Sequence, residues 1–373
     1  MKVLHIITGL GIGGAEAMLY KLLSELSQDS NSEHIVISMI KPGPYKEKIN
    51  ALGIKVISLE MNSAKSLPAA LVKLLKTVRQ VKPNVVQGWM YHGNLFASIS
   101  KLVLPKATKI IWNVRHSLYD FSKETRSTKW LIKFSAKISG LCDGVLYNSS
   151  ISRDQHELAG FANKPGKVIP NGFDTEDFRP DTTRKQRVRA ELKLRDNAFV
   201  IVHIGRFHPA KNHLGFLKAV VPLLQQNNNV AVVMVGLNVD KENQQIAALI
   251  PDSMKSRVHL LGLRNDIPDI MSAGNILAMS SDTEGFPNVI GEAMSSGLPV
   301  VSTDAGESRI VVGNTGIVVP IGDMSALNKG MKLLIEMDND AFASLQRCVR
   351  ERIIQNYSLS AIASQYKELY VSR

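Results

Sequence analysis

Cysteine is nearly missing from this sequence. Among 373 residues only Cys142 and Cys348 carry thiols, and they lie far apart. That excludes a disulfide-stapled scaffold and fits no metal or redox spacing, so free thiols in a reducing compartment are the simplest reading. Long apolar runs are also missing, and none approaches the roughly 18 residues that a membrane span needs. The opening MKVLHIITGLGIGGAEA has one lysine before its apolar part and is interrupted by His5. It reads better as strand, glycine-rich turn and helix than as a signal peptide, and the protein is expected to be cytoplasmic. No repeat or low-complexity stretch stands out. Aromatic residues are few, at 6%. They are not interleaved with basic residues as in a nucleic-acid module, so no nucleic-acid partner is expected.

Acidic residues are short in one half only. Residues 1–170 hold 23 Lys+Arg and 11 Asp+Glu, a difference of +12, whereas residues 171–373 hold 22 and 22. The whole net charge of +12 therefore falls on the first half. Such asymmetry suits an acidic partner such as nucleic acid, anionic lipid or a phosphorylated acceptor, and the plain alternative is a soluble basic surface.

What is present is ordinary for a soluble enzyme: 45% hydrophobic and 21% charged residues. The length suggests two domains. Short apolar runs at 3–7, 34–40, 55–59, 84–89, 109–114 and 144–148 read as strands, with helical patterns such as 15–26 and 69–81 between them. The second half repeats the scheme with runs at 199–205, 230–236, 258–262, 275–280 and 298–303. Continuous apolar strands alternating with helices predict an α/β protein with parallel sheets covered on both faces. The seam is expected near IPNGFDTEDFRPD (169–181), where Pro, Asn-Gly and acids break the pattern. Two Rossmann-like domains would then bind ligand at the carboxyl ends of their strands, around a central cleft.

Residues 283–303, TEGFPNVIGEAMSSGLPVVST, carry the sharpest chemical signal. Glu284 lies on a loop after a strand, and Glu292 lies in the second turn of a helix. Pro287 suits the first position of that helix and Gly297 its C-terminal cap. The N–H groups of Asn288, Val289 and Ile290 would form an anion site at the helix start. A carboxylate accepts two hydrogen bonds, which matches neighbouring hydroxyls of a sugar. The strand-to-loop segment FVIVHIGRFHPAKNH (199–213) offers Arg206 and Lys211, two fixed cations able to neutralise a diphosphate and stabilise it as a leaving group. Anion and sugar hydroxyls together describe a nucleotide-sugar. The bland alternative for the two cations is a solvated surface pair.

These segments carry a resemblance. GGAE (13–16), IPNGFD (169–174), GRFHPAKN (205–212), EGFPNVIGEAM (284–294) and GLPVVST (297–303) stand in the order seen in retaining glycosyltransferases of family 4, and the chain resembles that family over nearly its whole length. The resemblance implies a GT-B fold. It also implies an N-terminal acceptor-binding domain of residues 1–170 with a C-terminal helix at about 358–373, and a donor-binding domain of residues 171–357. It implies that Glu292 holds ribose, that Glu284 contacts the donor sugar, and that Arg206 and Lys211 hold the diphosphate. Gly13 and Gly14 would approach that diphosphate from the other side, and the backbone of Gly285, Phe286, Pro287, Asn288 and Val289 would lie against sugar and phosphate. His116, just after the strand KIIWNV, is the first-domain candidate for substrate contact, although a lone histidine is more often structural. His92 is weaker. Gly236 is followed by LNVD rather than by the family's second glycine.

The implied reaction moves a hexosyl or hexosaminyl group from a nucleotide-sugar, UDP-sugar by expectation, to a polysaccharide or lipid-linked acceptor in bacterial surface glycan synthesis. No residue stands out as a nucleophile, so a front-face route is favoured over Glu284 as nucleophile. No metal or other cofactor is expected, and Asp338-Asn339-Asp340 reads as a solvated turn. The glycines Gly9, Gly11 and Gly14 also fit the dinucleotide fingerprint of an NAD(P)-dependent oxidoreductase. That reading wants an acid at the end of the second strand, where Lys41-Pro42 stands. A sugar-nucleotide epimerase and a non-catalytic sugar-nucleotide-binding protein would also suit two Rossmann-like domains.

Residues 123–138, KETRSTKWLIKFSAKI, suggest one more surface. On a helix, Arg126, Lys129, Lys133 and Lys137 share a stripe beside Trp130, Phe134 and Ile138. The composition suits a helix lying on an anionic membrane, which would make the protein peripheral on the inner face. The alternative is that Trp130 and Phe134 pack into the core.

Overall fold

Valine- and isoleucine-rich runs can be strands without polar alternation only where both sheet faces are covered. That condition is met in both halves of the chain. A computed structural model describes residues 1–118, 121, 125–162 and 167–372. The chain forms two compact units, Met1–Gly172 with Leu359–Arg373, and Phe173–Ser358.

The first unit holds a seven-stranded parallel sheet of β1 (Lys2–Ile7), β2 (Glu33–Ser38), β3 (Lys55–Ser58), β4 (Val85–Trp89), β5 (Lys109–Val114), β6 (Gly144–Tyr147) and β7 (Lys167–Val168), in the order β3-β2-β1-β4-β5-β6-β7. The second holds a six-stranded parallel sheet of β8 (Phe199–Ile204), β9 (Val230–Val235), β10 (Val258–Leu260), β11 (Ile276–Met279), β12 (Val300–Thr303) and β13 (Ile317–Val319), in the order β10-β9-β8-β11-β12-β13. All residues of β4 and β9 are buried. Strand β12 starts two residues later than its apolar run, because Pro299 has no N–H for the ladder. Its carbonyl still accepts from the Leu277 N–H at 3.0 Å.

In each sheet the chain steps to one side for two strands and then crosses to the other. The reversals fall between β1 and β4 in the first unit and between β8 and β11 in the second. A parallel sheet binds ligands at such switch points, where loops at the carboxyl ends part to opposite faces. The loops after β8 and β11 carry Arg206, Lys211 and Glu284. The loop after β1 carries the glycine cluster, the helix Met90–Ser100 that starts directly after β4 carries Tyr91, and the adjoining β5 leads to His116.

The terminal helix Leu359–Val371 packs on the helix Gly14–Leu26 of the first unit. Its Tyr370 hydroxyl donates to Gln87 Oε1, and its Tyr366 hydroxyl accepts from Asn113 Nδ2 at 3.1 Å. Lys367 pairs with Asp29 at 3.1 Å.

Several histidines are buried where a second ring proton would find no acceptor. Trp89 Nε1 donates to His5 Nδ1, His5 Nε2 faces His34 Nδ1 at 3.1 Å, and His34 Nε2 faces the Ser32 hydroxyl at 3.2 Å. His203 Nδ1 meets the Ala278 carbonyl at 2.8 Å. Burial holds His34 and His156 down to about 4 and His203 to about 3. Folded values below the unfolded one mean that the unfolded chain binds more protons between the two. Stability is therefore complete above about pH 6.5 and is lost as pH falls towards 4, at about 1.4 kcal/mol per pH unit for each such histidine. The melting temperature should drop steadily from pH 7 to pH 4.5. A flat or rising profile there would show that these rings take up protons without cost.

Candidate active site

Two loops of the second unit are stitched together at the switch point. The loop after β8 ends in a short turn, Pro209–Lys211, and then in Asn212, whose backbone is left-handed at φ +48°. Asn212 caps the helix His213–Gln226 by accepting from the Gly215 N–H at 3.0 Å. Its amide Nδ2 donates across to Asp282 at 3.1 Å, and the Asp282 N–H donates back to the Ala210 carbonyl at 2.8 Å. The Ser280 hydroxyl lies 3.0 Å from the Lys211 carbonyl and 2.9 Å from that of Asn212.

This stitching sets the side chains. Lys211 Nζ lies 2.5 Å from Glu284 Oε1, and the Ser281 hydroxyl donates to the same oxygen at 2.7 Å. Both partners are largely buried, at 23% and 11% side-chain exposure, so their attraction is only partly screened. Arg206 lies on the same loop, exposed, with no ion pair to a described residue. The structure thus places Lys211 and Glu284 in direct contact, although one was expected to serve phosphate and the other sugar. Gly306 has φ +61°, and a Cβ there would run into the carbonyls of Glu284 and Gly285. Only glycine lets the loop after β12 press on the Glu284 loop.

The helix Asn288–Ser295 starts one residue later than the sequence suggested. Pro287 is its N-cap, with φ −80° and ψ 83°, rather than its first residue. Gly297 has φ +77°, as a residue ending a helix often does. The expected row of three donors at the helix start is not complete. The Asn288 N–H already donates to the Phe286 carbonyl at 3.0 Å and that of Ile290 to the Pro287 carbonyl at 3.1 Å, so of the three only Val289 lacks a backbone partner. The Phe286 ring is buried and stacks on Phe173 at 6.1 Å, which anchors the loop. Glu292 is half-buried in the second turn of the helix.

In the first unit, Gly13 is the N-cap of Gly14–Leu26, in extended backbone at φ −160°. The Glu16 carboxylate folds back over Gly13, while Gly11 and Gly14 face open space. A carboxylate at that helix start opposes the dinucleotide alternative, in which a pyrophosphate sits there. His116 lies in the loop after β5, 3.2 Å from the Tyr91 hydroxyl, which also bonds His156 at 2.7 Å. Neither Tyr91 nor His156 stood out in the sequence. Tyr91 is the second residue of the helix that follows β4 and could have been found by its place at the switch point. His156 is one of two buried residues, with Ser152, of a helix distant in sequence and gave no local signal. His92 is exposed in the first turn of Met90–Ser100. Asp338 caps the helix Asn339–Tyr357 by accepting from the Ala341 N–H at 2.9 Å.

The helix Arg126–Ile138 turns Ile132, Ser135 and Ala136 inward. Trp130 is 65% and Phe134 39% exposed, with rings stacked at 5.3 Å, so neither belongs to the core. Ile138 packs partly against the core and leaves the aromatic stripe. Arg126, Lys133 and Lys137 are exposed and Lys129 half-exposed. A groove of about 690 Å³ beside Trp130 is lined by Leu67, His92, Phe96 and Leu131. Among the described residues, no helix is long and apolar enough to cross a membrane.

Known proteins resemble this arrangement. Residues 12–177 match the family model Glycosyltransferase Family 4, and residues 198–337 match Glycosyl transferases group 1. The UDP-Gal:alpha-D-GlcNAc-diphosphoundecaprenol alpha-1,3-galactosyltransferase of Escherichia coli is 29% identical over 320 residues, covering 81% of this chain and 79% of its own. The capsular polysaccharide biosynthesis glycosyltransferase CapH of Staphylococcus aureus is 23% identical, covering 83% of each chain. The crystal structure of HepE from Anabaena in complex with UDP superposes with a TM-score of 0.83 at 23% identity, covering 100% of both chains.

Proposed function

This chain belongs to glycosyltransferase family 4, with the GT-B fold, and from that premise we propose that it transfers a sugar from a UDP-sugar to a lipid-linked or polysaccharide acceptor in bacterial surface glycan synthesis. The observation that carries this reading is the Lys211–Glu284 pair at the switch point of the second sheet. There an ammonium for phosphate and a carboxylate for sugar hydroxyls stand within one contact. The UDP donor is supported by the names of the galactosyltransferase and of the HepE complex, and the glycan acceptor by those of the galactosyltransferase and CapH.

In this reading the second unit holds the donor and the first the acceptor. Glu292 holds ribose, and Glu284, with the backbone from Gly285 to Val289, holds sugar and phosphate. Lys211 and Arg206 offset the charge that grows on the diphosphate as the glycosidic bond breaks. The Glu16 carboxylate folded over Gly13 opposes a diphosphate beside Gly13 and Gly14 as well, and His116 is the first unit's candidate for contact with the substrate. The enzyme is of the retaining kind. The acceptor oxygen attacks the face that the diphosphate leaves, and a phosphate oxygen takes the acceptor's proton. The protein supplies orientation and electrostatics. Incubation with UDP-, GDP- and ADP-sugars, read by thermal shift and by release of nucleoside diphosphate, tests the reading. UDP-sugars should raise the melting temperature and release UDP. A protein stabilised by no nucleoside diphosphate would sink it.

The exposed Trp130 and Phe134 beside Arg126, Lys129, Lys133 and Lys137 support contact with an anionic membrane that carries the acceptor. Each basic residue near such a surface contributes about 1 kcal/mol, screened by salt. Cosedimentation is expected with anionic but not neutral liposomes, with release at high salt. Replacing Lys129, Lys133 and Lys137 by Glu should abolish it without unfolding. If the unmutated protein ignores anionic liposomes at low salt, the stripe is not a membrane surface.

A further inference from the structure

The groove beside Trp130 carries no charge. Its volume of about 690 Å³ falls within the range of small-ligand sites, about 300–1,000 Å³. It opens onto the core of the first unit through Met39 and Phe96. The starts of two helices, Leu67–Val81 and Arg126–Ile138, wall it with Leu67, Trp130 and Leu131. Among the described residues that line it, none is Asp, Glu, Lys or Arg. Partial burial lowers His92 below its ordinary value, so that ring is neutral at pH 7 as well. The hydroxyls of Ser127 and Thr128 are turned to the Thr125 hydroxyl at 2.9 and 2.8 Å. Met39 and Met61 offer side chains that adapt to a ligand of no fixed shape.

Charge begins at the rim. Lys65 and Arg126 adjoin lining residues in the chain, and both are exposed. An uncharged groove with a cationic rim complements an amphiphile with an anionic head. A second cavity, of about 530 Å³, shares Asn62 with the groove and carries Lys41, Lys46, Glu47 and Glu60. Lys46 pairs with Glu47 at 3.8 Å and Glu60 with Lys73 at 3.8 Å, whereas Lys41 has no ion pair to a described residue. The loop that carries Lys41 is fixed to the glycine loop after β1. The Tyr45 N–H donates to the Leu10 carbonyl at 3.1 Å, and a Cβ on Gly43 would come within 2.6 Å of that carbonyl. A path therefore leads from the exposed Trp130 through the groove, past Asn62, to a cation beside the switch point of the first sheet.

We propose that this groove binds the hydrocarbon chain of a single phosphate-headed lipid, with the phosphate at Lys41. That this lipid is the acceptor rests on the reading that the acceptor is lipid-linked; the groove itself does not. Contact with a bilayer would need only the exposed rings and lysines of the helix Arg126–Ile138. The groove adds a place where one chain can leave the bilayer and bring its head to the switch point.

The test uses the whole protein and decyl phosphate, kept too dilute to form micelles, with decanol and inorganic phosphate as its separate halves. Trp130 is the reporter, because Trp89 and Trp112 are fully buried and already shielded from water. Decyl phosphate should move the emission to shorter wavelength and saturate at one molecule per chain. Decanol should bind about 10-fold more weakly, for want of a charged hydrogen bond, and inorganic phosphate should leave the emission unchanged. Leu67→Asp places a carboxylate at the first position of its helix, where the helix dipole favours it, so the fold is kept while the groove is charged. It should weaken decyl phosphate by about 10-fold or more. Lys41→Ala should reduce decyl phosphate to the affinity of decanol and leave decanol itself unchanged. An emission shift that never saturates, or one that survives Leu67→Asp, would mean bulk lipid contact at Trp130 and overturns the groove. Equal losses of decanol and decyl phosphate in Lys41→Ala overturn the placing of the phosphate. Release of UDP from a UDP-sugar is followed in parallel. Chain binding without UDP release would sink the transferase reading and support the groove, whereas UDP release without chain binding overturns the groove alone.

Discussion

Lys211→Ala is expected to lower kcat by about 10²- to 10³-fold, the range seen when one preorganised group is removed from a developing negative charge. The ammonium sits on a turn whose backbone is held by Ser280, Asn212 and Asp282, so its position before the reaction is fixed. Fixed charge needs no reorganisation as the diphosphate departs, and that is what makes it effective. Arg206→Ala should cost less, because Arg206 is exposed and its charge is screened by water. Added magnesium should restore neither variant, and the unmutated enzyme should keep full activity in EDTA. Lys211 also pairs with Glu284, so the two substitutions should not add. A double-mutant cycle on turnover should give a coupling well above about 0.5 kcal/mol, the limit for independent sites. Additive losses would mean that the contact at 2.5 Å has no part in catalysis.

The fold was legible in the sequence because its strands are buried on both faces. A run such as VAVVMV needs no partner to declare itself, and β9 came out where its apolar letters lie. Strand β7, two residues long, and β13, three residues long, are too short to carry a period, and neither was foreseen. The site residues Arg206, Lys211, Glu284 and Glu292 were found through motif letters, but their mutual arrangement was not. The Lys211–Glu284 contact joins positions 73 apart in sequence, and it depends on β8 lying beside β11. Ser281 and Asn212 hold that contact in place, and as isolated serine and asparagine they look like ordinary loop residues. The stacked pair Trp130 and Phe134 shows the opposite failure. Helical spacing placed them on one face without saying which face meets water. Ile132, Ser135 and Ala136 proved to be the buried side.

The two glutamates should separate binding from transfer. Glu292→Ala removes an acceptor proposed for ribose, and a lost hydrogen bond to a charged group costs about 1.5–3 kcal/mol. Calorimetry with UDP alone should therefore show affinity weakened about 10- to 150-fold. Glu284→Ala should behave differently because of its partner. In the unmutated protein the Lys211 ammonium is neutralised by Glu284. Removing the carboxylate leaves the ammonium facing the diphosphate alone, so UDP should bind as well as before or tighter. Transfer should nevertheless collapse, because the donor sugar loses its anchor. Glu284→Gln sharpens the distinction. It keeps an oxygen for the Ser281 hydroxyl, now 2.7 Å from Glu284 Oε1, and removes only the charge. If charge pairing with Lys211 governs UDP affinity, the Gln and Ala variants should bind UDP alike. If Glu284 mainly holds loop shape, Gln should resemble the unmutated protein and Ala should lose UDP and stability together. Equal loss of UDP affinity in Glu284→Ala and Glu292→Ala would refute the division of labour between sugar and ribose.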